Sequence, residues 1–430
     1  MPVNMDGSLA ARPPGAGYDA VMTTPPPAAP ARPSPRIPGL RLLHAPGPTR
    51  VPDEVLHAMS RQPTDLADPR VPALIASCEQ GLLRLARAPA DSRAFFYAAN
   101  GHGGWEAVIA NLLTPGGTVL VPGSGQFSNS WAEHVQAFGG TALRTPWAEG
   151  HPIDPAAVQA SLEADREHRI AAVFVVHTDT AAGTTCDLGA MRRALDAARH
   201  PALLVVDAVA SLAAAPLDMA ALGVDVVMGA SQKGLMMPPG MALCVVGPRG
   251  MAAARANPAP RLYWCWVRRD SELQYRKFCG TPPLAHLAGL EAALALIETE
   301  GLAHVQARHA RLAAATHAAV ETWGSAGALR LFTRVPAARS ASVTAIEVLA
   351  PGVDPEALRT LARERFQVAI AGGLGPLAGR VFRIGHLGDM NEAMLLGALA
   401  GVQAALAAMG VPHGRDGVAA AIDVLARGST

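Results

Sequence analysis

The chain has 430 residues, too many for one small module when domains run roughly 100–200 residues. Half of it is hydrophobic and only 17% is charged, which supplies a large core and excludes a mostly disordered polymer. With 36 basic and 35 acidic residues the net charge is +1, so neither nucleic acid nor an anionic membrane is expected as the main partner.

The prolines crowded between Thr23 and Pro38 predict a disordered Pro/Ala-rich arm over 1–38, with order starting near Leu40. From about residue 90 short apolar runs alternate with helical stretches. Strands are predicted over 95–99, 118–121, 171–176, 202–206, 225–228 and 242–246, and helices over 105–113 and 187–200. Most of these strands are apolar without alternation, so both faces are buried. That pattern predicts an α/β fold with a mainly parallel sheet sandwiched by helices. Past residue 285 come helices over 284–300 and 304–323, an alternating strand over 342–348, a helix over 354–365 and a strand over 380–384. The division expected is a large domain over 39–290 and a smaller α+β domain over 291–430.

Five scattered cysteines, without a C-x-x-C pair, fit a reducing compartment rather than a disulfide framework. No apolar run reaches the roughly 18 residues of a membrane span. The N-terminal region has no signal-peptide core and the terminal Gly428, Ser429 and Thr430 are not a peroxisomal address, so a cytoplasmic protein is expected. The 14 histidines show no metal-ligand spacing.

Ligands of open α/β sheets gather at the carboxyl ends of strands. Four features lie there. Asn100-Gly101-His102-Gly103-Gly104 opens a helix, where backbone N–H groups favour a phosphate. Glu106 stands where a dinucleotide fingerprint needs glycine, and no lysine follows to make a P-loop. His177-Thr178-Asp179-Thr180 follows the third strand, and Asp207 directly follows the fourth. A structural Asp in such a turn is common, yet a carboxylate at a strand's C-terminal end is also where a cationic cofactor ring would be held. The fourth feature is a lysine, in a chain whose basic residues are arginine except at Lys233 and Lys277. Lys233 lies among small and apolar residues, where an amine is desolvated, loses basicity and becomes a nucleophile toward an aldehyde. Lys277 lies in a polar run and reads as a solvated surface residue. A phosphate loop, an Asp and a lysine at strand ends together suit pyridoxal phosphate.

The words around these residues resemble class V aminotransferases of pyridoxal-phosphate fold type I, nearest the serine–, alanine– and aspartate–glyoxylate group. They are Val206-Asp207-Ala208-Val209-Ala210-Ser211-Leu212, the run from Gly229 through Ser231-Gln232-Lys233-Gly234 to Gly240, Pro46-Gly47-Pro48-Thr49, 177–183 and 381–388. The likeness extends from about Leu40 to the C-terminus. It implies that Lys233 is the Schiff-base amine and the base moving the α-proton, and that Asp207 keeps the ring nitrogen protonated. It further implies that Gly101, His102, Gly103 and Gln232 hold the phosphate, joined by Thr281 from the partner of a homodimer. Phe127 and Val209 would flank the ring, Thr180 would lie near its hydroxyl, and Arg383, with Gly47, would bind substrate. Arg383 would grip its carboxylate bidentately. Trp105, Trp264 and Trp266 read as packing or dimer contacts.

The expected reaction moves an amino group from serine, alanine or aspartate to a 2-oxo acid, with glyoxylate giving glycine. The chain departs from its relatives around the site mouth. An acid-His-Arg-Gly-Pro word is replaced by Thr64-Asp65-Leu66-Ala67-Asp68-Pro69-Arg70, Gly280 replaces an aromatic, and His102 stands where threonine is frequent. These departures leave donor and acceptor open. They also keep two alternatives open, a pyridoxal-phosphate lyase or other carbanion chemistry, and a non-catalytic binding protein.

Overall fold

In the computed structural model, residues 39–427 are described; the expected 1–38 arm and the last three residues lie outside them. From Arg41 onward the chain packs as one unit. Its centre is a seven-stranded sheet: β1 (Arg93–Ala98), β2 (Thr118–Pro122), β3 (Thr141–Thr145), β4 (Ile170–Val176), β5 (Leu203–Asp207), β6 (Val226–Ala230) and β7 (Met241–Val246). The spatial order is β1-β7-β6-β5-β4-β2-β3. Only β7 runs against its neighbours, β1 and β6; the remaining pairs are parallel.

Alternate residues of the strands enter two separate cores, which is why their sequences are apolar throughout. Phe96, Leu120, Val173, Leu204, Val206, Val227 and Leu243 meet helices Arg70–Leu85, Leu188–Ala197 and Leu284–Glu300 on one face. Tyr97, Val119, Val121, Phe174, Val205, Met228 and Cys244 meet helices Gly101–Leu112, Gln126–Ala137 and Pro248–Ala256 on the other. A second sheet follows, made of β8 (Leu329–Leu331), β9 (Val343–Val348), β10 (Ala371–Gly372) and β11 (Val381–Gly385), in the antiparallel order β8-β9-β11-β10. Helices Leu302–Gly324, Pro355–Arg365 and Glu392–Ala408 cover it, with Trp323, Phe382, Ile384 and Leu399 in its core.

Three local features differ from the sequence expectation. The helix expected over 105–113 begins at Gly101, because Asn100 caps it: its side chain accepts from the His102 and Gly103 N–H groups at 3.1 and 3.3 Å. β3 has no buried apolar run, since it is the exposed sheet edge, with Leu143 42% exposed. Lys277 is not a solvated lysine: it is half-buried and its ammonium lies 2.7 Å from Glu79. Beside it, buried Arg269 donates to the carbonyls of Tyr263, Phe96, Lys277 and Phe278 and lies 4.3 Å over the Tyr97 ring. Five fixed donors and a flat cation suit arginine to that clip, which ties the 263–278 segment to the sheet.

Candidate active site

The carboxyl ends of β1, β2, β4, β5 and β6 gather the polar residues singled out above, as open α/β sheets do. Lys233 lies three residues beyond β6. Its half-buried amine donates to the Pro46 carbonyl, and its own carbonyl accepts from Thr49 Oγ1 at 3.3 Å. Burial foremost, and the Arg383 charge next, push the Lys233 amine down to about 8, while Asp207 acts in the opposite sense. The residue between Pro46 and Pro48 has to be glycine for two reasons. Gly47 has φ +116°, and a Cβ there would fall 2.5–2.6 Å from Lys233 Cδ, Cε and Nζ. The same segment is laid on β11: the Gly385 N–H donates to His44 O at 2.6 Å, and a Cβ on Gly385 would come 2.5 Å from the Ala45 carbonyl oxygen.

Asp207 is the last residue of β5 and is buried. Its Oδ1 accepts from the Val209 N–H at 2.8 Å, and its Oδ2 accepts from Trp105 Nε1 at 2.8 Å. Burial pushes its carboxyl up to about 6; those two bonds and Lys233 pull down, and Asp179 adds to the rise. The indole was assigned to packing on the sequence, and packing is part of its role, since it stacks on Trp131 at 5.7 Å. Its contact with Asp207 was missed. The available signal was its position one helical turn beyond Gly101, on the helix that opens at the strand ends.

The Gly-rich segment is the first turn of that helix, not a free loop. Asn100 already occupies the His102 and Gly103 N–H groups, and Gly104 N–H returns to the Asn100 carbonyl at 3.2 Å. Among the described residues the Gly101 N–H has no partner, so the cradle offers Gly101 N–H and side chains rather than three backbone donors. Gly101 lies against Val209: an added Cβ would be 3.2 Å from Val209 Cγ2. Gly103 is turned to Ala99 and Trp264. His102 is exposed as a residue, but its ring is turned onto Trp105 at 4.6 Å and His134 at 5.4 Å. Burial and the His134 charge hold its pKa below the usual histidine value. The amide oxygen of Gln232, beside Lys233, is buried without a partner.

Phe127 is half-buried with its ring edge-on to Trp105 at 6.3 Å, so it closes the site wall rather than filling the deep core. Its N–H donates to Asp179 Oδ2 at 2.9 Å, and Asp179 Oδ1 accepts from Ala181 and Ala182 N–H at 2.9 and 3.2 Å. Burial pushes Asp179 up to about 6, opposed by those bonds and by Arg383. Asp179 therefore ties the Phe127 helix to the loop carrying Thr180. Arg383 is buried on β11; its Nε donates to Gly372 O at 2.6 Å and its Nη1 to Thr180 O at 2.8 Å. The outer guanidinium N–H groups are left for a carboxylate.

Thr281 is not gathered with these residues. It is exposed on the rim of a groove of about 720 Å³, with Arg61, Gln62, Thr64 and Leu66. His386, unassigned on the sequence, is buried between Thr344 Oγ1 and the Ala341 carbonyl at 2.9 Å each. Trp264 and Trp266 pack on Tyr97 and Phe95 at 5.1 and 6.0 Å. Among the described residues no group of three or more His, Cys, Asp or Glu could hold a metal, and no helix is long and apolar enough to cross a membrane.

A less basic amine, a buried carboxylate, a glycine helix start and a guanidinium fit pyridoxal phosphate and an amino acid. The Gly101 N–H, without a partner among the described residues at the N-terminus of a helix, supports that fit.

Comparisons with known proteins agree. Residues 41–377 match the class-V aminotransferase family. The chain is 39% identical over 397 residues to the serine–glyoxylate aminotransferase of Methylorubrum extorquens, covering 91% of this chain and 97% of the relative. It is 38% identical over 384 residues to the L-aspartate–glyoxylate aminotransferase of Paracoccus denitrificans, covering 88% and 94%. Among solved structures it superposes on the ureidoglycine–glyoxylate aminotransferase of Bacillus subtilis with a TM-score of 0.82 at 27% identity, covering 91% of this chain and 99% of that one. The pyridoxamine–pyruvate aminotransferase of Mesorhizobium loti gives 0.82 at 28%, covering 90% and 98%. The chain belongs to the class V aminotransferases, fold type I transaminases whose cofactor is pyridoxal 5′-phosphate.

Proposed function

We propose that this aminotransferase moves the amino group of serine, alanine or aspartate to glyoxylate, giving glycine. One juxtaposition carries the reading: the Lys233 amine, lowered to about 8, shares its surroundings with the Asp207 carboxylate and the Arg383 guanidinium. Bound pyridoxal phosphate supplies an aldehyde for the amino group and a ring that withdraws electrons from the α-carbon. Arg383, braced by the Gly372 and Thr180 carbonyls, holds the substrate carboxylate with its outer N–H groups. Lys233 Nζ would take the proton from the substrate α-carbon and deliver it to the cofactor's aldehyde-derived carbon on the other side of the amino nitrogen; its lowered pKa leaves a large neutral fraction near pH 8. Asp207, ionised above about pH 6, would hold a proton on the ring nitrogen.

Gly101 N–H, His102 and the side-chain NH2 of Gln232 would hold the phosphate as donors, with Gly103 shaping the turn. Thr281 of a second copy completes that grip, which makes the working unit a homodimer. The exposure of Thr281 on the rim of a groove supports this role. Phe127 and Val209 would flank the ring, Thr180 would lie near its hydroxyl, and Gly47 leaves room for Lys233 and substrate. Residues 39–290 form the cofactor-binding part, and the part from about 291 onward brings Arg383. Five free cysteines, four of them buried, support a reducing cytoplasmic setting.

The relatives' glyoxylate names support the acceptor. A donor panel tests the proposal: serine, alanine and aspartate are each supplied with glyoxylate or pyruvate, and amino and oxo acids are quantified. Glycine formed one-for-one with the donor's oxo acid is expected. Turnover of no donor with glyoxylate overturns the reading.

A further inference from the structure

We propose that Trp105 is a positioning residue for the cofactor, its indole N–H fixing the Asp207 carboxylate in one plane and keeping it ionised. This rests on the reading of Asp207 above. A carboxylate can turn about its Cβ–Cγ bond, and two donors on opposite oxygens stop that rotation. One is the Val209 N–H, two residues along the same turn, which an aspartate there supplies for itself. The other is Trp105 Nε1 at 2.8 Å, from a different element 102 residues away. Both partners are buried, Trp105 at 2% exposure and Asp207 at 4%, so the indole and not bulk water supplies this hydrogen bond.

The indole itself has no freedom. Trp131 stacks on it, Phe127 and His134 meet it edge-on, and His102 tilts against it at 4.6 Å. One rigid side chain thus touches the phosphate turn, the ring wall and the ring-nitrogen carboxylate. The charged groups acting on Asp207 are Asp179, which resists its ionisation, and Lys233, which favours it; the His177 N–H reaches only its backbone carbonyl.

The test is the binding of pyridoxal 5′-phosphate to the cofactor-stripped full chain between pH 5 and 8, read by absorbance. In wild type, affinity should fall as Asp207 becomes protonated near pH 6. Trp105→Phe removes the donor. Site-specific benzothienylalanine at 105, which replaces the indole N–H by sulfur in the same ring shape, separates that loss from packing. Both should move the midpoint of the fall upward by about one pH unit, the size expected for one hydrogen bond to a buried charge. In an Asp207→Asn background the same changes should move nothing. Equal weakening at every pH, or an unmoved midpoint in the benzothienylalanine protein, overturns the proposal. If Asp207→Asn alone leaves affinity and its pH dependence as in wild type, the underlying reading of Asp207 fails instead.

Discussion

Gly47→Ala is the sharpest single-atom perturbation of this site. Its Cβ would lie 2.5–2.6 Å from three atoms of the Lys233 side chain, where carbon atoms prefer roughly 3.5–4.0 Å. Lys233 must therefore retreat by about 1 Å. The backbone cost is separate: alanine held at φ +116° costs about 1–3 kcal/mol. That cost lowers stability without stopping folding. The retreat matters more, because a 1 Å misplacement of a reacting group costs about 100-fold in rate. Arg383 is anchored on β11 through the Gly372 and Thr180 carbonyls rather than through Lys233. The expected result is kcat down about 100-fold with a smaller rise in KM for the amino donor, measured by steady-state kinetics on variant protein shown by melting to be folded. A kcat within threefold of wild type would refute the reasoning that Gly47 sets the position of the Lys233 amine.

Arg383→Lys removes the fork and both carbonyl anchors; losing about 1.5–3 kcal/mol of charged hydrogen bonding raises the donor KM roughly 10- to 100-fold, and an unchanged KM contradicts the carboxylate role. Asp179→Asn leaves an amide against either the Phe127 N–H or the Ala181 and Ala182 N–H groups, so the melting temperature should fall and the donor KM rise together. Stability should also fall on acidification from about pH 6.5 toward pH 4. Burial holds His44, His177, His309 and His317 near 4 and His386 lower still, so the unfolded chain binds more protons there, outweighing the opposite effect of Asp179 and Asp207, which are raised to about 6. Melting curves of cofactor-free protein across that window check the sign, and a flat profile would contradict it.

The parallel sheet was legible because its strands are buried on two faces and announce themselves as apolar runs. β3 was not, since an exposed edge strand such as Thr141–Thr145 has no apolar run to read. Lys233 and Asp207 could be found at strand ends because strand direction fixes where the functional end lies. The position of Trp105 one turn beyond Gly101 placed it near the strand ends, but its bond to Asp207, across 102 positions, depends on how that helix sits over the sheet. Asp179 was visible as a residue but not as a strut, since its partners are backbone N–H groups of two other segments. The Asn100 cap shows the limit of motif reading: a polar residue before a glycine run can occupy the very N–H groups that the run offers to a phosphate.

The most direct measurement follows nitrogen. ¹⁵N-labelled serine, alanine or aspartate is incubated with glyoxylate, pyridoxal phosphate and either wild-type or Lys233→Ala protein. The account predicts label in glycine, one for one with the oxo acid formed from the donor, in wild type only. Label released as ammonia, or transferred equally well by Lys233→Ala, would contradict it.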